Sequence, residues 1–439
     1  MIEPKPLRRN LAALAALSVA SIAMTGCSVG SFGSSDDGKT TITFQNFNAA
    51  DAVKASKQMI AAFEEENPDI TVKLDTIPGG SDGDNLVKTQ LSTGDMDDVF
   101  AYNSGSLFQA IRPEQNLVPL TEESWVETVA PSYLPAVSVG EDVYGAPSGT
   151  SSPGGVLYNK TVYERLGLSV PTAWDEFRAN NEKILADGEV TPIEQTYGDS
   201  WTAQMFVLAD FANIAAAEPT WAAEYTENKA HYADEPALQS FTNQQQAFDD
   251  GFFNEDFASA TYDDGVRAVA TGTAAHYPIL SGAISAVEQN YPENIDDIGM
   301  FALPAKNAAD TRLTVFLASA FYIPKSTTGE KLAAAKKFVA FTQSAKGCSI
   351  FLEGGVSGPF VNSTCTLPDS VPEAVQGLQQ YVDDGKSGAA LEYLSPLKGP
   401  SLPQLAVEVG SGIRPAASGA QLYDEDVKKQ AKQLGLAGW

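Results

Sequence analysis

The sequence holds two histidines in 439 residues, and few basic residues for its length, 28 Lys and Arg against 56 Asp and Glu. Those shortages remove whole classes of chemistry. A Ser/His/Asp triad has only His231 or His276 to supply its base, and neither stands at metal-ligand spacing from a second ligating side chain. Around Ser357 no Gly-x-Ser-x-Gly elbow forms, because Pro359 takes the place of the second Gly. Gly-x-Gly-x-x-Gly and His-Glu-x-x-His motifs are absent, and Gly410-Ser411-Gly412 meets Pro415 where a third Gly belongs. Paired carboxylates do occur, as Asp97-Asp98, Asp249-Asp250, Asp263-Asp264 and Asp296-Asp297. Adjacent side chains diverge on both strands and helices, so these read as caps and solvating groups rather than a glycosidase pair. A net charge of -28 excludes nucleic acid, which needs clustered Lys and Arg against phosphates. No metal or cofactor is expected.

Long apolar runs are also scarce. Leu11–Ala23 is uncharged and 13 residues long, short of the roughly 20 that span a bilayer. Lys5, Arg8 and Arg9 precede it and Met24-Thr25-Gly26-Cys27 follows, the three-part pattern of an export signal over residues 1–26. This end resembles the lipobox of bacterial lipoproteins, with Met24 where Leu is usual. The resemblance implies cleavage before Cys27 and acylation of its thiol. Removing residues 1–26 deletes three positive charges and one negative, so -28 becomes -30. Residues 27–39, rich in Gly, Ser and Asp, read as a flexible linker. The remaining cysteines, Cys348 and Cys365, lie 17 positions apart. In an oxidising compartment a leftover pair is expected to be bridged, which stabilises by about 3 kcal/mol in the chain-entropy model.

Some 400 residues follow the linker, too many for one core. Apolar residues alternate over Thr41–Phe47 and again at Ile70, Val72 and Leu74. Between them Val53, Met59, Ile60 and Phe63 share one helical face, with Asp51 as a candidate cap and Asn67-Pro68 as the stop. Val99–Tyr102 and Val156–Tyr158 read as further strands, and Val162–Leu166 as a helix ending at Gly167. Thr172 and Asp175 stand at capping-box spacing before another helix, and Trp174 at its start marks a core anchor. Helical patterns over Lys331–Thr342 and Asp424–Leu434 close the chain. Strands alternating with helices predict an α/β fold with largely parallel sheets.

Several stretches, in order, resemble the extracellular solute-binding proteins of carbohydrate ABC importers, the maltose-binding-like group. They are ITFQNFN with AFEEENPDITVKL, LSTGDMDDVFAYNSGSLFQA, VYGAPSGTSSPGGVLYNKTVYERLGLSVPTAWDEF, GVRAVATGTAAHYPI, IGMFALPA, FYIPKSTTGEKLAAAKKFVAFTQS and GGVSGP. Asp97 replaces a usual Pro, and His276 a usual Met. The resemblance implies a two-lobed periplasmic-binding-protein-like fold with hinge strands and a central ligand cleft. Lobe one is then expected at 40–147 and 273–324, lobe two at 148–272 and 325–439. It further implies a monomer, lipid-anchored at the outer face of the cell membrane, that delivers a sugar to permease subunits. An exported carbohydrate-active enzyme is the alternative class. A polyol, glycerol phosphate or peptide is the alternative solute.

A sugar needs hydroxyl partners beside aromatic faces. The loops implied to carry them are Asn46-Phe47-Asn48, Tyr102-Asn103-Ser104, Ser151-Ser152, the Tyr197–Trp201 cluster with Asp199 and Trp201, the surroundings of Tyr277 and Ser281, and Glu353. Asn46 and Asn48 read equally as caps of the first helix. Many relatives carry Gly-Trp where Pro278-Ile279-Leu280-Ser281 stands here, so a stacking ring is missing at that point.

Overall fold

The computed structural model describes residues 39–78, 80–131, 133–352, 356 and 358–439. The expected export signal, Cys27, nearly all of the expected linker and Glu353 fall outside the described residues.

Among the described residues, thirteen strands fall almost wholly into two sheets. In chain order they are β1 (Thr40–Phe47), β2 (Ile70–Ile77), β3 (Val99–Tyr102), β4 (Ser138–Val139), β5 (Asp142–Val143), β6 (Ala146–Pro147), β7 (Ser152–Asn159), β8 (Thr191–Ile193), β9 (Ala274–Leu280), β10 (Ile298–Phe301), β11 (Leu313–Phe316), β12 (Ala320–Tyr322) and β13 (Ser387–Ala389). The first sheet runs β2-β1-β3-β12-β6, with β1 parallel to both neighbours and β12 antiparallel to both of its own. The second runs β13-β11-β7-β9-β8, and β10 pairs with the far half of β7. β4 and β5 form a separate two-stranded ribbon. This is the two-lobed α/β architecture expected from the sequence.

The first three strands lie where the alternation of apolar residues put them. Ile42 and Phe44 of β1 point into the core, where Phe63 from helix Ala50–Glu66 meets Phe338 from helix Gly329–Thr342 at 5.1 Å between rings. Phe338 also packs edge-on against Phe44 at 5.1 Å. Helix Lys160–Leu166 stops at Gly167, whose left-handed backbone satisfies the C-terminal turn. Helix Trp174–Asp187 begins as expected with Trp174 buried. Its first turn, however, is held by Glu176 rather than Asp175. The Glu176 carboxylate accepts from the Thr172 N–H at 2.8 Å and the Thr172 hydroxyl at 3.0 Å.

The expected lobe boundaries need correction. Within 273–324 only β12 belongs to the first sheet, while β9, β10 and β11 pair in the second. Conversely, helix Gly329–Thr342, assigned to lobe two, lies on β1. Strand content alone does not say which sheet a strand joins; partner choice is set by pairing and burial across hundreds of residues. Helix Ala345–Leu352 carries Cys348, whose Cα lies 5.4 Å from that of Cys365, inside the range that a bridge requires.

A second, helical core extends the second lobe. Trp221, Tyr225, Tyr232, Phe241 and Tyr423 stack within it, and Leu391 and Leu397 from the loop after β13 plug into it. Among the described residues no helix is long and apolar enough to cross a membrane.

Candidate functional site

Strand direction places the site. β7 begins where β11 ends, since Ser152 faces Phe316, and where β9 ends, since Gly154 faces Leu280. β8 runs parallel to β9, and β13 to β11. The carboxyl ends of β8, β9, β11 and β13 therefore share one edge of the second sheet. On the first sheet, Ala320 at the start of β12 faces Tyr102 at the end of β3 and Pro147 at the end of β6. The crossing segments 148–151 and 317–319 join these two edges. Carboxyl edges of open α/β sheets are where ligands bind, because loops leave the strands there with backbone and side-chain groups unpaired.

A cavity of about 460 Å³ opens between the edges. One wall is Asn103, Ser104 and Ser106 after β3; the crossing contributes Leu317 and Ser319; the opposite wall is Gln204, Glu392, Tyr393 and Lys398. A smaller hollow of about 220 Å³ on the first-lobe side is lined by Asn46, Phe47, Ser148 and Phe351, and Ser319 borders both spaces. The crossing at 317–319 is held firmly. Tyr133 donates to the carbonyls of Ala318 and Ser319, each at 3.1 Å, and Tyr393 to that of Leu317 at 3.2 Å. Gly105 has φ +71 and touches the facing loop so closely that a Cβ would stand 2.6 Å from the Tyr393 ring. Any larger residue there forces the walls apart at this point.

The expected contacts divide into those on the surface and those within the packing. Asn103 and Ser104 line the larger cavity, and Asn46 and Phe47 the smaller hollow. The Asn46 amide also donates to Ser56 of the first helix at 2.9 Å, so it ties β1 to that helix. Asn48 is exposed and Ser152 half-buried at the start of β7. Asp199 is half-buried and accepts from the Tyr262 N–H at 2.7 Å. Trp201 is 40% exposed, with its ring 5.7 Å from that of Tyr262. Its turn leads directly to Gln204, which lines the larger cavity.

Four expected contacts lie inside the packing instead. Tyr102 is buried and its hydroxyl binds Asp84; burial and that carboxylate hold the phenol well above its ordinary pKa, so it stays a donor. Ser151 is buried and donates to the Pro359 carbonyl at 2.8 Å. Tyr277 is buried, its hydroxyl 2.7 Å from Thr196, beneath Gly265, where a Cβ would stand 2.5 Å from the ring. Ser281 is buried and its N–H donates to the Pro153 carbonyl at 2.8 Å. Tyr102, Ser151 and Ser281 sit at the correct edge of their sheets and Tyr277 lies midway along β9, but each side chain points into the lobe. Conversely, Gln204, Ser319, Glu392, Tyr393 and Lys398 escape sequence reading. Their loops follow strands of only three or four residues that carry no alternation.

Neither histidine adjoins the cavities. His231 is half-buried and pairs with Asn228 at 3.2 Å, and His276 is buried in the second lobe. Among the described residues no three His, Cys, Asp or Glu side chains converge.

A two-lobed α/β scaffold with a polar cleft between the carboxyl edges of its sheets is the arrangement of a solute receptor. The profile of bacterial extracellular solute-binding proteins matches residues 48–347, more than half of the chain, and the chain belongs to that family. It is a transport component rather than an enzyme. The multiple sugar-binding protein of Streptococcus mutans is 27% identical over 377 residues, covering 85% of this chain and 84% of its own. The melibiose/raffinose/stachyose-binding protein MelE of Bacillus subtilis is 26% identical over 163 residues, 37% of either chain. Among solved structures, the apo form of RafE from Streptococcus pneumoniae superposes with a TM-score of 0.76 at 23% identity, covering 90% of this chain and 100% of its own.

Proposed function

We propose that this chain captures an oligosaccharide outside the membrane and delivers it to the permease subunits of an ABC importer. The observation that carries the proposal is the larger cavity. Amides and hydroxyls reach it from both lobes, so a polyhydroxylated ligand bridging them would hold the lobes together. The sugar-binding relatives support the same reading. Calorimetric titration with mono-, di- and trisaccharides tests it, and a complete lack of heat across the panel would sink the sugar claim. Trp201→Ala is expected to weaken sugar binding by about 10-fold or more through loss of a stacking face. Its melting temperature should barely move, because the ring is 40% exposed. Unaltered affinity in that variant removes Trp201 from the site.

The tether belongs to the same proposal. Lys5, Arg8, Arg9, the apolar run and the small residues before Cys27 support export, cleavage and lipidation at Cys27. A monomer held at the outer face of the membrane then works beside its permease. The 5.4 Å Cα separation supports a Cys348–Cys365 bridge in that oxidising compartment. Intact mass of membrane-extracted protein checks both points. Expected are acyl mass on Cys27 and the loss of two hydrogens, with Cys27→Ala released into the medium. An unacylated, membrane-retained protein contradicts the anchor, and two free thiols contradict the bridge.

A further inference from the structure

Among the described residues lining the larger cavity, Lys398 is the sole cation and Glu392 the sole carboxylate, and they are bound to each other. Lys398 Nζ donates to Glu392 Oε2 at 2.9 Å, with side-chain exposures of 42% and 25%. The backbone N–H of Lys398 donates to Gln430 Oε1 at 2.6 Å, which fixes the base of the pair. Leu391 and Leu397, buried in the helical core on either side, hold this loop so that both charged groups line the cavity.

The remaining polar groups form a mixed, uncharged set. Asn103, Ser106 and Ser319 make no side-chain hydrogen bond to another described residue, so each offers both a donor and an acceptor. The Gln204 amide already donates to the Trp201 carbonyl at 3.0 Å and keeps its oxygen, while Gln430 keeps its NH₂. Sugar hydroxyls donate and accept at once and match such a set. A carboxylate on the ligand does not. It would need Lys398, and taking Lys398 strands Glu392 beside a second negative charge in a chain of net charge -28.

We propose that the cleft takes neutral oligosaccharides, and that Glu392, by holding Lys398, is the residue that excludes sugars bearing uronic acids. The proposal rests on the sugar reading above. The pair remains available to the neutral ligand: Glu392 has lone pairs left for hydroxyl donors, and Lys398 has two N–H groups left for hydroxyl or ring oxygens.

The test is calorimetry on the purified chain with raffinose, stachyose and maltotriose as neutral probes and trigalacturonate as the acidic one. Wild type is expected to bind at least one neutral probe about 100-fold more tightly than trigalacturonate. Glu392→Gln releases Lys398 and should narrow that ratio by about 10-fold or more, with the gain falling as salt rises. Adding Lys398→Met to Glu392→Gln should restore the rejection. Melting temperatures report whether the variants keep their fold, and Lys398→Met alone, which should weaken neutral binding yet still reject trigalacturonate, provides a second readout. Wild type binding trigalacturonate within about 10-fold of the best neutral probe overturns the proposal, as does a folded Glu392→Gln protein with an unchanged ratio. If neutral sugars bind in either case, only the charge inference falls. If no probe binds, the sugar reading falls with it.

Discussion

Asp210→Asn is expected to be more stable than the parent protein at pH 8 and less stable at pH 3. Asp210 is buried beside the second helical core, and its carboxyl accepts from the Asn213 amide at 2.7 Å. Burial, above all, raises its carboxyl to about 7, from an ordinary 3.8. Glu235 adds repulsion, while the Asn213 bond acts the other way. Because the folded-state value lies above the unfolded one, the folded protein holds the proton more tightly, and stability falls as pH climbs from about 4 to 7. At pH 8 that loss amounts to about 4 kcal/mol, at 1.4 kcal/mol per unit. Asn removes the titration but introduces a buried donor that lacks a partner, which costs about 1–2 kcal/mol. The net is a gain of about 2–3 kcal/mol at pH 8 and a loss of about 1–2 kcal/mol at pH 3, with the two proteins about equal near pH 5. Urea melts at the two pH values check this, and parallel shifts without a crossing contradict it.

His276→Met should cost about 3 kcal/mol at neutral pH and almost nothing at pH 4. The imidazole is buried between Phe177 and Tyr163, with Nε2 2.7 Å from the Tyr163 hydroxyl and Nδ1 2.8 Å from the Pro192 carbonyl and 3.0 Å from Asn181 Oδ1. Two acceptors at Nδ1 assign the proton there, so Nε2 accepts from Tyr163. Met fills the space but leaves the Tyr163 hydroxyl and the Pro192 carbonyl buried without this partner, at about 1–3 kcal/mol each. Burial lowers the His276 value to about 3, from an ordinary 6.5. A folded value below the unfolded one means that the unfolded chain takes up the proton first. Stability is therefore lost as pH falls from 6.5 toward about 3, the reverse of Asp210. The variant has no such loss, so the gap between parent and variant should close in acid. A gap that stays constant from pH 8 to pH 4 contradicts the buried neutral imidazole.

Much of the fold was legible because local pattern and tertiary role agree over the first hundred residues. Alternation in Thr41–Phe47 and the shared face of Met59, Ile60 and Phe63 identify a strand and helix that pack on each other. Gly167 marks a helix end because only the left-handed conformation closes that turn. Legibility fails where strands are short. Thr191–Ile193 and Ser387–Ala389 carry no period, and each joins its sheet through neighbours far away in sequence. The loop after the second of these provides Glu392 and Lys398, so that wall of the cleft stayed hidden. The opposite error arose at Tyr277 and Ser281. Their place in the chain is right for the cleft edge, but sequence order cannot say toward which side a residue projects. His276 shows the same limit from the other direction, since its meaning lies in Tyr163, Asn181 and Pro192, none of them adjacent.

The crossings at 148–151 and 317–319 have a consequence for how the molecule comes into being. The second sheet lacks an edge strand until Ser387–Ala389 is present, and the first lacks β12 until residue 322. Neither lobe is encoded as an uninterrupted stretch, so no amino-terminal fragment that ends before residue 322 contains a finished sheet of either. A chain released residue by residue can settle only after most of it has emerged. Late completion of this kind keeps the polypeptide loose until its distant segments can meet.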